Sequence, residues 1–221
     1  MEWTENPSIA ARILQGLGDE LEEGGRAKPL PHLMELVQCL TKSYNNRNQS
    51  LPLTPKEIGF FTAGRAVVAF IIQKAKQHSV RGEFEGVNYE VDFLHLDGRV
   101  GELKSTRIST KKDPKDFPDT WTKQILGYMK CRGETGGVVV IFHIIPVELR
   151  SWEVEASEFD INENWTWIQR RKHTYQEFMD KAETPEPFLY NEAWECKDCR
   201  YKLVCDITVS LDRQKDAKVK G

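Results

Sequence analysis

The chemistry of this 221-residue chain starts at 100-VGELKSTR-107. The stretch reads as a β-strand, and in a strand residues i and i+2 share a face. Glu102 and Lys104 therefore lie side by side, with Leu103 turned away. The strand-like run 84-FEGVNYEVDFLHL-96 precedes it, and Asp97-Gly98 marks the turn between them. The loop length decides what Glu102 meets. A two-residue turn pairs Leu96 with Arg99 and sets Asp92 opposite Leu103. A three-residue loop, Leu96-Asp97-Gly98, pairs His95 with Arg99 and places glycine where a left-handed residue is needed. It sets Asp92 opposite Glu102 and Glu90 opposite Lys104. This register gives one face of Val91, Phe93, Gly101 and Leu103, and another of Glu90, Asp92, Glu102 and Lys104. The two-residue register mixes both classes on each face, which a half-buried sheet disfavours.

Two carboxylates facing each other across a strand pair repel unless something neutralises them. A hard divalent cation does so. Mg²⁺ or Mn²⁺ takes oxygen ligands and keeps several waters, so two carboxylates and a main-chain carbonyl suffice. Such an ion activates water and stabilises charge on a phosphate. A nearby lysine holds the attacking water or the phosphate. The plainer alternative is a surface salt bridge between Glu90 and Lys104.

The elements that must carry this hairpin follow from periodicity. Residues 1–30 read as a weak helix (Ile9, Ile13, Leu14, Leu17) and a loop. From His32 to about Tyr44 the apolar spacing is helical, with Cys39 on that helix. The segment 53-LTPKEIGFFTAGRAVVAFIIQKAKQ-77 reads as one long helix or a broken pair, with Thr54 as N-cap and Pro55 first. Four strands are expected, the third and fourth being GVVVIFHII and LRSWEVEAS, with the helix DTWTKQILGYMKC between the second and third. Gln124 and Tyr128, four apart on that helix, share a face. ENWTWIQRRKHTYQEFMDKA is helical, stopped by Pro185 and Pro187, and the last residues, DRQKDAKVKG, read as frayed. The order predicts an α/β domain with a mixed central sheet flanked by helices.

The net charge of −3 argues against a polycation, yet a basic cleft on an acidic body still steers an anion. Lys104, Arg107, Lys111, Lys112 and Lys115 form one basic stretch; Arg170, Arg171 and Lys172 form another. No apolar run reaches the roughly 18 residues of a membrane span, and the first residues lack a secretory pattern. A cytoplasmic location is the expectation. The five cysteines are Cys39, Cys131, Cys196, Cys199 and Cys205. An odd number without a secretory pattern disfavours a disulfide framework and favours ligation. Four thiolates suit an iron–sulfur cluster or tetrahedral Zn²⁺, and spacing alone leaves both open. Cys131 reads as a small packed residue on the Gln124 helix.

The order Asp92, Glu102-Leu103-Lys104, then Gln124 and Tyr128, resembles the PD-(D/E)xK nuclease superfamily and its RecB-like branch. Cys196-x2-Cys199-x5-Cys205 with a distant Cys39 is similar to the iron–sulfur nucleases of that branch, the CRISPR-adaptation exonucleases called Cas-four and the AddB-type recombination nucleases. The resemblance implies a restriction-endonuclease-like core over about 55–180, within a single domain spanning 1–221. It also implies a cluster, most often [4Fe–4S], stapling residues 32–45 to 190–206. Asp92, Glu102 and the Leu103 carbonyl would hold Mg²⁺ or Mn²⁺, Lys104 would position water, and Gln124 and Tyr128 would line the groove. The family's helix motif GxxxH is not matched: in 64-GRAVVAF-70 the histidine's place is held by Val68.

The resulting expectation is a metal-dependent exodeoxyribonuclease acting on single-stranded or frayed DNA ends. Arg107, Lys111, Lys112 and Trp121 would hold the strand. A role in CRISPR adaptation, or in recombination or repair, follows from resemblance, as would integrase or recombination partners and a homo-oligomer. The alternative is a non-catalytic nucleic-acid-binding module with a structural cluster or zinc, which the absent histidine favours. A redox-sensing cluster protein is a third reading without specific support.

Overall fold

A computed structural model describes residues 7–23, 29–72, 77–181, 186, 190 and 192–219. Its centre is one five-stranded sheet in sequential order: β1 (Gln77–Phe84), β2 (Val87–Leu94), β3 (Val100–Thr106), β4 (Gly136–His143) and β5 (Glu148–Glu155). All neighbours are antiparallel except β3 and β4, which run parallel because α5 (Asp119–Arg132) crosses over between them. The expected α/β class holds.

β1 is an addition to the four expected strands. Its hairpin with β2 turns at Glu85 and Gly86, both at positive φ, a turn that Glu-Gly signals less strongly than Asn-Gly. The preceding helix, α4 (Pro55–Ile72), opens as expected. Thr54 Oγ1 accepts from the Glu57 N–H at 3.2 Å, and the Glu57 carboxylate accepts from the Thr54 N–H at 2.9 Å.

Two apolar clusters sandwich the sheet. On one face α2 (Leu33–Val37), α5 and α6 (Glu158–Lys181) bring Leu36, Ile125, Met129, Trp165 and Ile168 against Val100, Val139 and Ile141. On the other, α4 brings Val67, Val68 and Ile71 against Phe93, Leu103 and Val140. Helix α1 (Pro7–Glu23) packs on α4. No helix among the described residues is long and apolar enough to cross a membrane.

Several expectations are corrected. The helix expected from His32 to Tyr44 breaks at Gln38 and Cys39, and α3 (Leu40–Asn48) begins with Cys39 as its N-cap. The break persists because Arg171 of α6 donates to the Leu36 and Gln38 carbonyls, and Glu195 accepts the Cys39 N–H at 2.7 Å. Helix α6 starts earlier than expected, at Glu158, because Ser157 Oγ accepts from the Asp160 N–H. The residues expected to stop it, Pro185 and Pro187, lie outside the described residues. The tail expected to fray is helical as far as Val219: α7 spans Lys202–Val219, a run free of glycine and proline.

Candidate active site

The hairpin takes the three-residue register. Phe93 pairs with Gly101 and Leu94 with Val100, the His95 N–H reaches the Arg99 carbonyl at 2.9 Å, and Gly98 sits at φ +97°. Gly101 leaves room for the Phe93 ring, from which a Cβ would lie 2.3 Å. Beyond Phe93 the ladder stops. The Asp92 side chain takes over, its Oδ2 accepting from the Leu103 N–H at 2.9 Å. Asp92 thereby stands beside Glu102.

Glu102 points under α5 and is 4 % exposed. Its Oε1 accepts from Lys104 Nζ at 2.6 Å and from Gln124 Nε2 at 2.9 Å. The Gln124 amide also donates to Tyr128 Oη at 2.8 Å, and its carbonyl oxygen accepts from Lys104 Nζ. Gln124 thus seats the pair on β3, and Tyr128, on the same face of α5, holds Gln124. An ammonium has three N–H donors, so Lys104 keeps one for another acceptor.

The second oxygen, Glu102 Oε2, is buried and has no hydrogen-bond partner. Its carboxyl neighbour, Asp92, is itself an acceptor while ionised, so a proton or a cation must come between them. Burial, against the pull of Lys104, pushes the Glu102 carboxyl up to about 7, and Asp92 adds to the rise. Burial also raises Asp92, while the Leu103 N–H and then Lys104 draw it down. Tyr128 is held well above its ordinary value, mainly by burial. Among the described residues no three His, Cys, Asp or Glu side chains form a closed metal-ligand set. That does not bear on a pair, and Mg²⁺ commonly binds one or two carboxylates and fills its shell with water and phosphate oxygens. The unpartnered Oε2 fits such an ion.

Not every expected residue joins this centre. Glu90 is not opposite Lys104 in a ladder; it pairs with Arg81 of β1 at 2.9 Å, which removes the Glu90–Lys104 surface bridge. Val68 lies in the apolar cluster with Phe93 and Leu103, so α4 supplies no ligand at that position. The guanidinium of Arg107 sits 5.3 Å above the Phe60 ring. Lys111 and Lys112 are exposed on the loop after β3, and Trp121 packs on Phe117 at 5.5 Å. The Arg170–Lys172 stretch is not one basic surface: Arg171 is spent on carbonyls and Lys172 Nζ donates to the Glu85 carbonyl at 2.7 Å. The bond from the Leu103 N–H to Asp92 could not be read from sequence, because it depends on the ladder parting.

The cysteines converge from both ends of the chain. Burial, then charge on Cys39, Cys199 and Cys205, pushes the Cys196 thiol up to about 11. Cys39 and Cys205 are buried. Glu195, next to Cys196, holds the Cys39 N–H; Tyr201 Oη accepts from the Leu51 N–H at 3.2 Å and donates to Asn46. The thiols influence one another without forming a closed ligand set, yet four soft thiolate donors fit an iron–sulfur cluster or zinc in kind and number. Cys131 stands apart, half-buried on α5, its thiol raised to about 12 by burial.

No family model matches the chain, and no curated protein matches it. Among solved structures, the crystal structure of SSO0001 superposes with a TM-score of 0.62 at 15 % identity, covering 89 % of this chain and 96 % of that one. A phage-related exonuclease from Haemophilus somnus 129PT gives a TM-score of 0.47 at 12 % identity over 73 % of this chain and 97 % of that one. LHK-Exo in complex with dAMP gives 0.46 at 16 % identity over 69 % and 91 %. At these identities it is the fold, shared with SSO0001, that the likeness establishes.

Proposed function

We propose that this chain is a nuclease: a Mg²⁺- or Mn²⁺-dependent exodeoxyribonuclease hydrolysing phosphodiester bonds at single-stranded or frayed DNA ends. The observation that carries this is the buried, unpartnered Oε2 of Glu102 beside Asp92, with Lys104 seated on the same carboxylate. Paired carboxylates at the cost of repulsion are expected where a divalent cation belongs.

Asp92, Glu102 and the Leu103 carbonyl would hold the ion, which when bound supplies a nucleophilic water and shields the phosphate's charge. Lys104 directs its remaining N–H toward the water or a phosphate oxygen and offsets charge that develops there. Gln124 holds both Lys104 and Glu102, fixing their separation, and Tyr128 anchors Gln124 from behind. Lys111, Lys112 and Arg107, on the segment after β3, attract the DNA backbone. The four cysteines would take an iron–sulfur cluster, or zinc, tying the α2–α3 break to the start of α7. A place in CRISPR adaptation or in recombination belongs to this proposal through resemblance alone.

The second reading, a non-catalytic nucleic-acid-binding module, is favoured by Val68, which gives the site no imidazole. End-labelled single-stranded and frayed DNA, incubated with Mg²⁺ or Mn²⁺, separates the two. The wild type should release mononucleotides, and Glu102→Gln and Lys104→Met should not. Equal inertness of wild type and Glu102→Gln across metals and substrates would refute the nuclease.

A further inference from the structure

A cavity of about 350 Å³ opens between the start of α5, the loop before it and β5. Phe117, Trp121 and Trp152 supply its aromatic walls, and Ile125, Val139 and Val154 its floor. Phe117 meets Trp152 edge-on at 5.3 Å, and the Arg150 guanidinium lies over Trp152 at 5.0 Å, fixing that ring. The size is that of a small-molecule site.

Two observations identify the occupant. The first is continuity with the candidate active site. Val139 is the register partner of Glu102, Trp152 is the register partner of Val139, and Ile125 follows Gln124. Two strand spacings, roughly 10 Å, separate the Glu102 and Trp152 backbones. The second is polarity. No lysine or arginine is among the lining residues; the polar lining is Thr122, Glu153 and Glu155, the last two on β5, an edge strand among the described residues, with Glu153 paired to Arg99 at 3.3 Å. A lining of three aromatic rings with no lysine or arginine of its own suits a flat, neutral ring better than a phosphate.

Resting on the nuclease reading, we infer that this cavity takes an unstacked nucleobase of the DNA strand whose neighbouring phosphodiester lies at Asp92 and Glu102. The aromatic walls stack the base while the backbone stays outside, along the lysine-bearing loop. Stacking of this kind is sequence-tolerant and shifts affinity by roughly 10- to 100-fold.

The test is binding in chelator, where no cleavage is needed. A single-stranded oligonucleotide carrying 2-aminopurine at successive positions should lose fluorescence on binding at one position near the bound end. An abasic nucleotide there should weaken binding roughly 10-fold or more, and abasic nucleotides elsewhere should not. Trp152→Ala, and Thr122→Leu at the exposed rim, should abolish the quenching; Thr122→Leu should do so with an unchanged melting temperature. Uniform quenching, position-independent abasic effects, undiminished binding by Thr122→Leu, or no binding at all would overturn the inference. If DNA is cleaved but no base stacks, the nuclease stands and the pocket falls. If a base stacks but nothing is cleaved, the pocket's occupant stands and the nuclease reading falls.

Discussion

Replacing Glu102 by glutamine should stabilise the metal-free protein at high pH and leave it nearly unchanged at low pH. The carboxyl's value rises from 4.5 to about 7 in the fold, and burial is the main cause. Below 4.5 the folded and unfolded chains both hold this proton, and ionisation costs nothing. As pH rises, the unfolded chain releases it while the folded chain keeps it, so stability falls until the folded carboxyl ionises near 7. At about 1.4 kcal/mol per pH unit the loss amounts to roughly 3 kcal/mol. That figure already contains the attraction of Lys104, which opposes the rise. Glutamine keeps the shape of the neutral acid and escapes the loss. Urea unfolding in chelator should therefore show Glu102→Gln more stable than wild type by about 3 kcal/mol at pH 8, or roughly 6–12 °C in melting temperature, and equal to it near pH 4.5. Added Mn²⁺ should stabilise the wild type, whose ionised pair binds it, and leave the variant unmoved. A variant that differs from wild type by the same amount at both pH values would show that Glu102 is not held back from ionising, and the account of the site would fail.

Gln124→Leu should strand Lys104 and Tyr128 under α5, costing about 1–3 kcal/mol by denaturant unfolding and reducing cleavage, whereas Tyr128→Phe should cost less than half of that. Gly101→Ala should destabilise by about 1–3 kcal/mol because its methyl meets the Phe93 ring, and Phe93→Leu should recover most of the loss in a double-mutant cycle. Protein purified without oxygen should be brown and bleach on reduction, or colourless with one zinc per chain. Cys39→Ser or Cys205→Ser should remove the iron or zinc by elemental analysis and lower the melting temperature, while Cys131→Ser should keep it.

Much of the hairpin was written locally. The need for a left-handed residue at Gly98, and the alternation along β2 and β3, set the register that brings Asp92 to Glu102. The spacing of Gln124 and Tyr128 put both on one helix face, and Thr54 with Glu57 opened α4. Each follows from a period of two or of 3.6, or from a cap, and needs only neighbours in sequence. Tertiary structure decided what those groups experience. Glu102 rises toward neutrality only because α5 closes over β3 and excludes water. The break at Cys39 exists because Arg171, on a helix far along the chain, answers the carbonyls of Leu36 and Gln38. Glu90 pairs with Arg81 rather than Lys104 because β1, hidden behind an ordinary Glu-Gly turn, brought Arg81 to it. Phe117, Trp121 and Trp152 face one cavity only once β5 lies beside β4. Sequence spacing carries local geometry; burial, electrostatic coupling and cavities arise from contacts between distant segments, which no single stretch encodes.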